Sequence, residues 1–138
     1  MAKYYETILR YEKMQDNGTV KKVAEHFLSD SLSLTEAEAT VTEKMQPYIS
    51  GEFVATSAKE TKIAEVVGDK EADKFYLAKV AFITIDEKTA SEKKTISQIL
   101  VGAEDFERAY NNLKVAMQTT MADWELQSLA LSPILDVF

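Results

Sequence analysis

Apolar residues fall at alternate positions from Lys3 to Lys13, where Tyr5, Leu9 and Tyr11 share one side, and this period of two predicts a strand. Gln15-Asp16-Asn17-Gly18 supplies a turn, since Asn-Gly tolerates positive φ, and Val20 to Leu28 reads as the returning strand of a hairpin. Ser33 or Thr35 can then cap a helix over Leu34 to Gln46, in which Leu34, Ala37, Val41 and Met45 keep helical spacing; Pro47 and Gly51 limit its far end. Glu52 to Val67 is rich in Val, Thr, Phe and Ile and predicts a long or bent strand, and Gly68 to Asp73 is a polar linker.

The same plan returns in the second half: strand Lys74 to Ile85, turn Asp86 to Ser91, strand Glu92 to Val101, helix Ala103 to Met117, strand Trp124 to Phe138. Matched from their first strands, the halves lay Tyr5 over Tyr76, Leu9 over Val80 and Tyr11 over Phe82. With one extra residue in the second hairpin turn, Lys21-Lys22 falls on Lys93-Lys94, Leu28 on Leu100, Leu34 on Phe106, Val41 on Leu113 and Met45 on Met117. Further on, Phe53 meets Trp124, Ile63 meets Ile134 and Val66 meets Val137. The expectation is an α+β protein made by tandem duplication of a ββαβ unit, one copy over 3–67 and the other over 74–138. One unit buries too little core alone, so residues 1–138 are expected to form a single pseudo-twofold domain, with two helices packed on antiparallel sheet. Leu34, Val41, Met45, Phe106, Leu113 and Met117 are predicted to face that sheet. The pattern fits a continuous sheet or a divided one.

Length and composition narrow the class. A chain of 138 residues that is 46% hydrophobic and 28% charged is ordinary for a globular domain. Cysteine is absent, which removes disulfides and thiolate chemistry and permits a reducing compartment. The first residues lack the basic flank and apolar run of a secretory signal, and no apolar stretch approaches the roughly 20 residues of a membrane span. A cytoplasmic protein with no membrane partner is expected. The net charge of −7 and the scarcity of arginine, present at Arg10 and Arg108, argue against duplex DNA as ligand.

Five strings carry a family resemblance: RYEK from Arg10, LTEAEA from Leu34, PYISGEF from Pro47, FITIDEK from Phe82 and ILDVF from Ile134. Taken together and in order, the sequence resembles an uncharacterised family, a domain of unknown function, of gut Bacteroidetes and their crAss-like phages. The resemblance covers nearly the whole chain and brings no catalytic residues with it. It implies a phage or mobile-element protein made in the cytoplasm of a bacterial host, in a setting that includes genome replication.

Chemistry-bearing residues are few. The single histidine, His26, sits mid-strand and has neither the ligand set nor the nucleophile that a metal site or a triad needs; a strand histidine hydrogen-bonded at the surface or a sheet edge is expected. Glu36, Glu38 and Glu43, with Glu60 and Glu65, read as solvated faces rather than an acid/base pair. No calcium loop, phosphate-binding glycine loop or dinucleotide fingerprint occurs. No catalytic residue, metal or cofactor is therefore expected, and the protein is not read as an enzyme.

Binding chemistry is better represented. Strand alternation places Tyr4 with Glu6, Ile8 and Arg10 on the face opposite Tyr5, and an aromatic beside cations is the combination that single-stranded nucleic acid binders use; a second small core or a dimer contact is the structural alternative. Lys21, Lys22, Lys93 and Lys94 take matching places after the two hairpin turns, flanked by Lys13 and Lys88. These lysines, with Arg10 and Tyr4, form the candidate nucleic-acid-binding set; lysines that merely protect strand edges are the alternative. The terminal Leu135-Asp136-Val137-Phe138 resembles an acidic partner-recruiting tip, yet the repeat maps it onto the end of a strand. The leading expectation is a non-catalytic, phage-type protein that binds single-stranded DNA or assists replication. The alternative is an acidic protein–protein module, acting as host-factor inhibitor, virion component or assembly adaptor and compatible with a homo-oligomer.

Overall fold

The computed structural model describes residues 3–138, apart from the side chain of Ser57. It contains eight strands and two helices: β1 (Lys3–Met14), β2 (Val20–Ser31), α1 (Leu34–Met45), β3 (Phe53–Glu60), β4 (Ile63–Gly68), β5 (Lys74–Ile85), β6 (Glu92–Ala103), α2 (Phe106–Met117), β7 (Asp123–Ser132) and β8 (Ile134–Val137). The fold is α+β. Contacts divide the chain into two compact units, one running up to Thr61 and including Pro133–Phe138, the other spanning Lys62–Ser132.

The first unit is a four-stranded sheet of order β3-β1-β2-β8 with α1 on one face. Its hairpin closes as the turn residues require: Gly18 takes φ +84°, and the Asn17 carboxamide oxygen accepts from the backbone N–H and hydroxyl of Thr19. Ser33 caps α1 by accepting from the Glu36 N–H, an orphan donor of the first turn, while the Glu36 carboxylate accepts from the Leu32 N–H just before the helix and ties the entering chain to it. Pro47 then turns the chain through a short 3₁₀ segment, Gln46–Tyr48. Beneath α1 the core gathers Leu9, Phe27 and Val41, with Tyr11, Met45, Ile49, Phe53, Ala55 and Phe138 packed around them.

The second unit has the order β4-β6-β5-β7, with α2 capped by Asp105, whose carboxylate accepts from the Arg108 N–H at 2.8 Å. Its core is larger, comprising Tyr76, Ala78, Val80, Ile99, Val101, Ala103, Ala109, Leu113 and Met117. Fully burying a side chain the size of valine or leucine contributes roughly 1.5–3 kcal/mol. The turn after β4 is clamped to α2, because the Arg108 guanidinium donates to both carboxylate oxygens of Asp69, at 3.2 and 3.3 Å. That hydrogen-bonded pairing holds the Asp69 carboxyl below its ordinary range. Gly102 permits the close approach, since a Cβ there would run into the Asp69 carbonyl oxygen.

The two sheets match when β1 is read as β5, β2 as β6, β3 as β7 and β8 as β4. Both helices and the first two strands of each half are twelve residues long. These similarities are consistent with a duplicated unit. Two details depart from the sequence reading. The long strand expected in each half is broken, at Thr61-Lys62 and at Pro133, giving ββαββ rather than ββαβ. The last strand of each half then pairs in the other half's sheet, in parallel: β8 runs beside β2 and β4 beside β6. Each sheet is accordingly mixed rather than purely antiparallel, and the compact units differ from the repeat boundaries 3–67 and 74–138 by that exchange.

Of the six helix residues expected to face the sheet, Val41, Leu113 and Met117 are buried and Met45 is half-buried. Leu34 and Phe106 remain 47% and 55% exposed. They occupy matching positions as the first residues of the two helices, where a side chain projects past the helix start. Phe106 still touches the core edge-on, its ring 6.3 Å from that of Tyr76. Among the described residues, no helix is long and apolar enough to cross a membrane.

Candidate functional site

The cations of the first hairpin divide between the two faces of its sheet. Register puts Arg10 opposite Ala24 and Lys22 opposite Glu12, all on the face away from α1, whereas Lys13 and Lys21 lie directly opposite each other on the α1 side. Arg10 is aimed by β3: its Nε donates to Thr56 Oγ1 at 3.2 Å, and that hydroxyl donates to the Ile8 carbonyl at 3.4 Å. Arg10 and Lys22 line one open groove of about 920 Å³, together with Glu12 and Glu52. Val54, opposite Arg10 on β3, and Ala24 give it apolar surface, and Ser50 and Gly51 close one end. Gly51 takes φ +93° there, a conformation natural to glycine.

Tyr11 also lines the groove, and its hydroxyl donates to the Glu25 carboxylate, with Lys13 Nζ 3.9 Å from the other carboxylate oxygen. Burial and the bond to Glu25 push the Tyr11 phenol up to about 12, so it stays protonated throughout the physiological range. The ring thereby anchors β1 to β2 beside the groove.

The remaining candidates are placed differently. Lys93 and Lys94 stand opposite Thr84 and Ile83 on the second hairpin, and Lys94 Nζ lies 3.3 Å from Glu125 Oε1 of β7. Lys88 sits in the turn between β5 and β6, its backbone N–H bonded to Asp86 Oδ1. Tyr4 shares a face with Arg10 but lies about half the length of β1 away, roughly 20 Å at the rise of an extended strand. It is half-buried, and its carbonyl accepts from both the N–H and the hydroxyl of Thr61. The structure thus gathers Arg10 and Lys22 in the groove, places Lys13 and Lys21 on the reverse face of the same hairpin, and does not bring Tyr4 to them.

His26 is held more firmly than its sequence position suggests. It is half-buried on β2, interior to the sheet, with Nδ1 2.6 Å from Glu6 Oε2; Lys59 Nζ lies 3.9 Å from the other Glu6 oxygen. No group of three or more histidine, aspartate or glutamate side chains able to hold a metal occurs among the described residues. Glu12, Glu52 and Thr56 were not singled out from sequence. For Glu12 the signal was available, because strand pairing around the Asn-Gly turn places it across from Lys22.

The terminal segment is strand rather than free tail. Phe138 stacks on Phe27 with ring centroids 5.4 Å apart, its N–H donates to the Leu28 carbonyl, and its own carbonyl accepts from the Asp30 N–H.

No protein of curated function matches the chain. No solved structure matches it either. A family model does match, over residues 3–138, and the chain belongs to that family, the domain of unknown function DUF4494.

Proposed function

We propose that the protein is a non-catalytic interaction module that holds a polypeptide segment of mixed charge in the groove of its first unit, serving as an adaptor or as a ligand of a host factor. The observation that carries this reading is the charge pattern of the groove, where Arg10 and Lys22 stand among Glu12 and Glu52 over apolar Ala24 and Val54. A uniform polyanion would meet a carboxylate beside each cation, whereas a peptide with both signs finds a partner for each. Outside the groove, Lys13 and Lys94 already have carboxylate partners. The sequence resemblance supplies the setting, the cytoplasm of a bacterial host of crAss-like phages.

One observation favours a second reading, binding of single-stranded DNA during replication. Lys13 and Lys21 face each other directly across β1 and β2, where like charges repel, and a phosphate beside Lys21 would add to the relief that Glu25 already gives Lys13. Selection from a random peptide display library separates the two. Enrichment by the wild-type protein of peptides that the Arg10→Glu/Lys22→Glu variant does not retain supports the groove reading. Failure to enrich any such peptide overturns it. Salt-dependent retention of oligothymidine that disappears when Lys13, Lys21 and Lys22 become glutamine puts the DNA reading in its place.

A further inference from the structure

The C-terminal strand occupies a seat that does not depend on which chain supplies it. Ile134 is buried, Phe138 stacks on Phe27, and β8 pairs in parallel with His26, Phe27 and Leu28. The backbone bonds of Phe138 to Leu28 and Asp30 extend the pairing to the last residue. All of these contacts are made by residues 134–138. The connection to the preceding strand is a single residue, Pro133, whose ring fixes φ, and hinges this short and stiff favour exchange between copies.

The chain already performs such an exchange internally. β4 leaves the first half to complete the second sheet beside β6, and β8 does the reverse. The two seats have matching registers, with His26 opposite Ile134 and Leu28 opposite Val137 in one, and Gln98 opposite Ile63 and Leu100 opposite Val66 in the other. Once vacated, β2 would be an unprotected sheet edge beside an uncovered Phe27, and such an edge pairs with whatever strand fits it.

We infer that the β8 seat on β2 accepts the Ile134–Phe138 segment of a second copy of this chain, giving a reciprocal dimer in which each first-unit sheet is completed by its partner's last strand. Reciprocity follows from identity, because a copy that gives its strand leaves a seat for the one it receives.

The test uses the full chain, refolded from denaturant at low and high concentration, with and without excess fluorescent peptide of sequence Pro133–Phe138. Size-exclusion chromatography with light scattering should show monomer at low concentration and a dimer fraction that grows with concentration. The peptide should suppress that dimer and travel with the monomer. Pro133→Gly should deplete the dimer, because a flexible hinge lets the strand fold back onto its own sheet. A dimer left unchanged by both peptide and Pro133→Gly overturns the inference, and so does monomer at every concentration. Where Pro133→Gly fails to refold, the wild type decides alone: peptide retained with the monomer supports the seat, and no retained peptide overturns it.

Discussion

Met117 offers the sharpest test of how the second unit is packed. It is 4% exposed at the last turn of α2, within the cluster that includes Tyr76, Val80, Val101 and Leu113. Met117→Ala removes the thioether and its flanking carbons from a site walled by sheet and helix, so little of the void can close. Such truncations cost roughly 2–5 kcal/mol. Its counterpart Met45 is half-buried at the rim of the smaller first-unit cluster, where solvent can fill the space, and Met45→Ala should cost at most about half as much. With a urea slope of about 1–3 kcal/mol per molar, the Met117 variant should unfold at a midpoint lower by roughly 0.7–5 M. Chemical denaturation followed by circular dichroism and by Trp124 fluorescence measures both. Equal losses for the two variants, or a larger loss for Met45→Ala, would refute the assignment of the deeper core to the second unit.

Gly102→Ala should destabilise by roughly 1–3 kcal/mol in the same assay, because the added methyl collides with the Asp69 carbonyl and crowds Phe75; a neutral result would show that the turn clamped by Arg108 does not approach β6. Thr7→Val should be neutral or stabilising by about 1 kcal/mol, since the buried Thr7 hydroxyl has no hydrogen-bond partner among the described residues and the substitution keeps its shape; a loss above that would mean the hydroxyl is satisfied. Tyr11 gives a pH dependence: its folded pKa of about 12 exceeds the ordinary value of 10.0, so the stability it contributes is fully present below pH 10 and is lost as pH rises through 12. Ultraviolet difference titration of wild type against Tyr11→Phe should show one phenol ionising near the top of that window. No late-ionising phenol missing from the variant would contradict the Glu25 contact.

Periodicity and turn chemistry carried most of the secondary structure, because the relevant signals are local. The spans of β5 and the start of α1 follow directly from alternation and from Ser33, and the Asn-Gly turn sets the first hairpin's register. The repeat alignment reached further. It laid Leu28 over Leu100 and Val66 over Val137, and those equivalent residues are partners in the two parallel pairings. Strand exchange was not legible, since the alternation of a strand of four to six residues names a buried face and not a neighbour. Pro133 was the readable sign that the last strand had to break, as proline interrupts a ladder. At the site, residue types were legible but grouping was not. Arg10 is oriented by Thr56, far along the chain, and Lys94 by Glu125; pairings of that separation leave no trace in spacing.

The exchange of terminal strands is the claim on which the fold and the self-association inference both rest, and nuclear Overhauser contacts in the isotope-labelled protein at low concentration test it directly. Contacts are expected between the rings of Phe27 and Phe138, with parallel-strand backbone contacts joining Val66 to Leu100. Contacts that instead place Val66 along the first sheet and Val137 along the second, each last strand beside its own half, would contradict it.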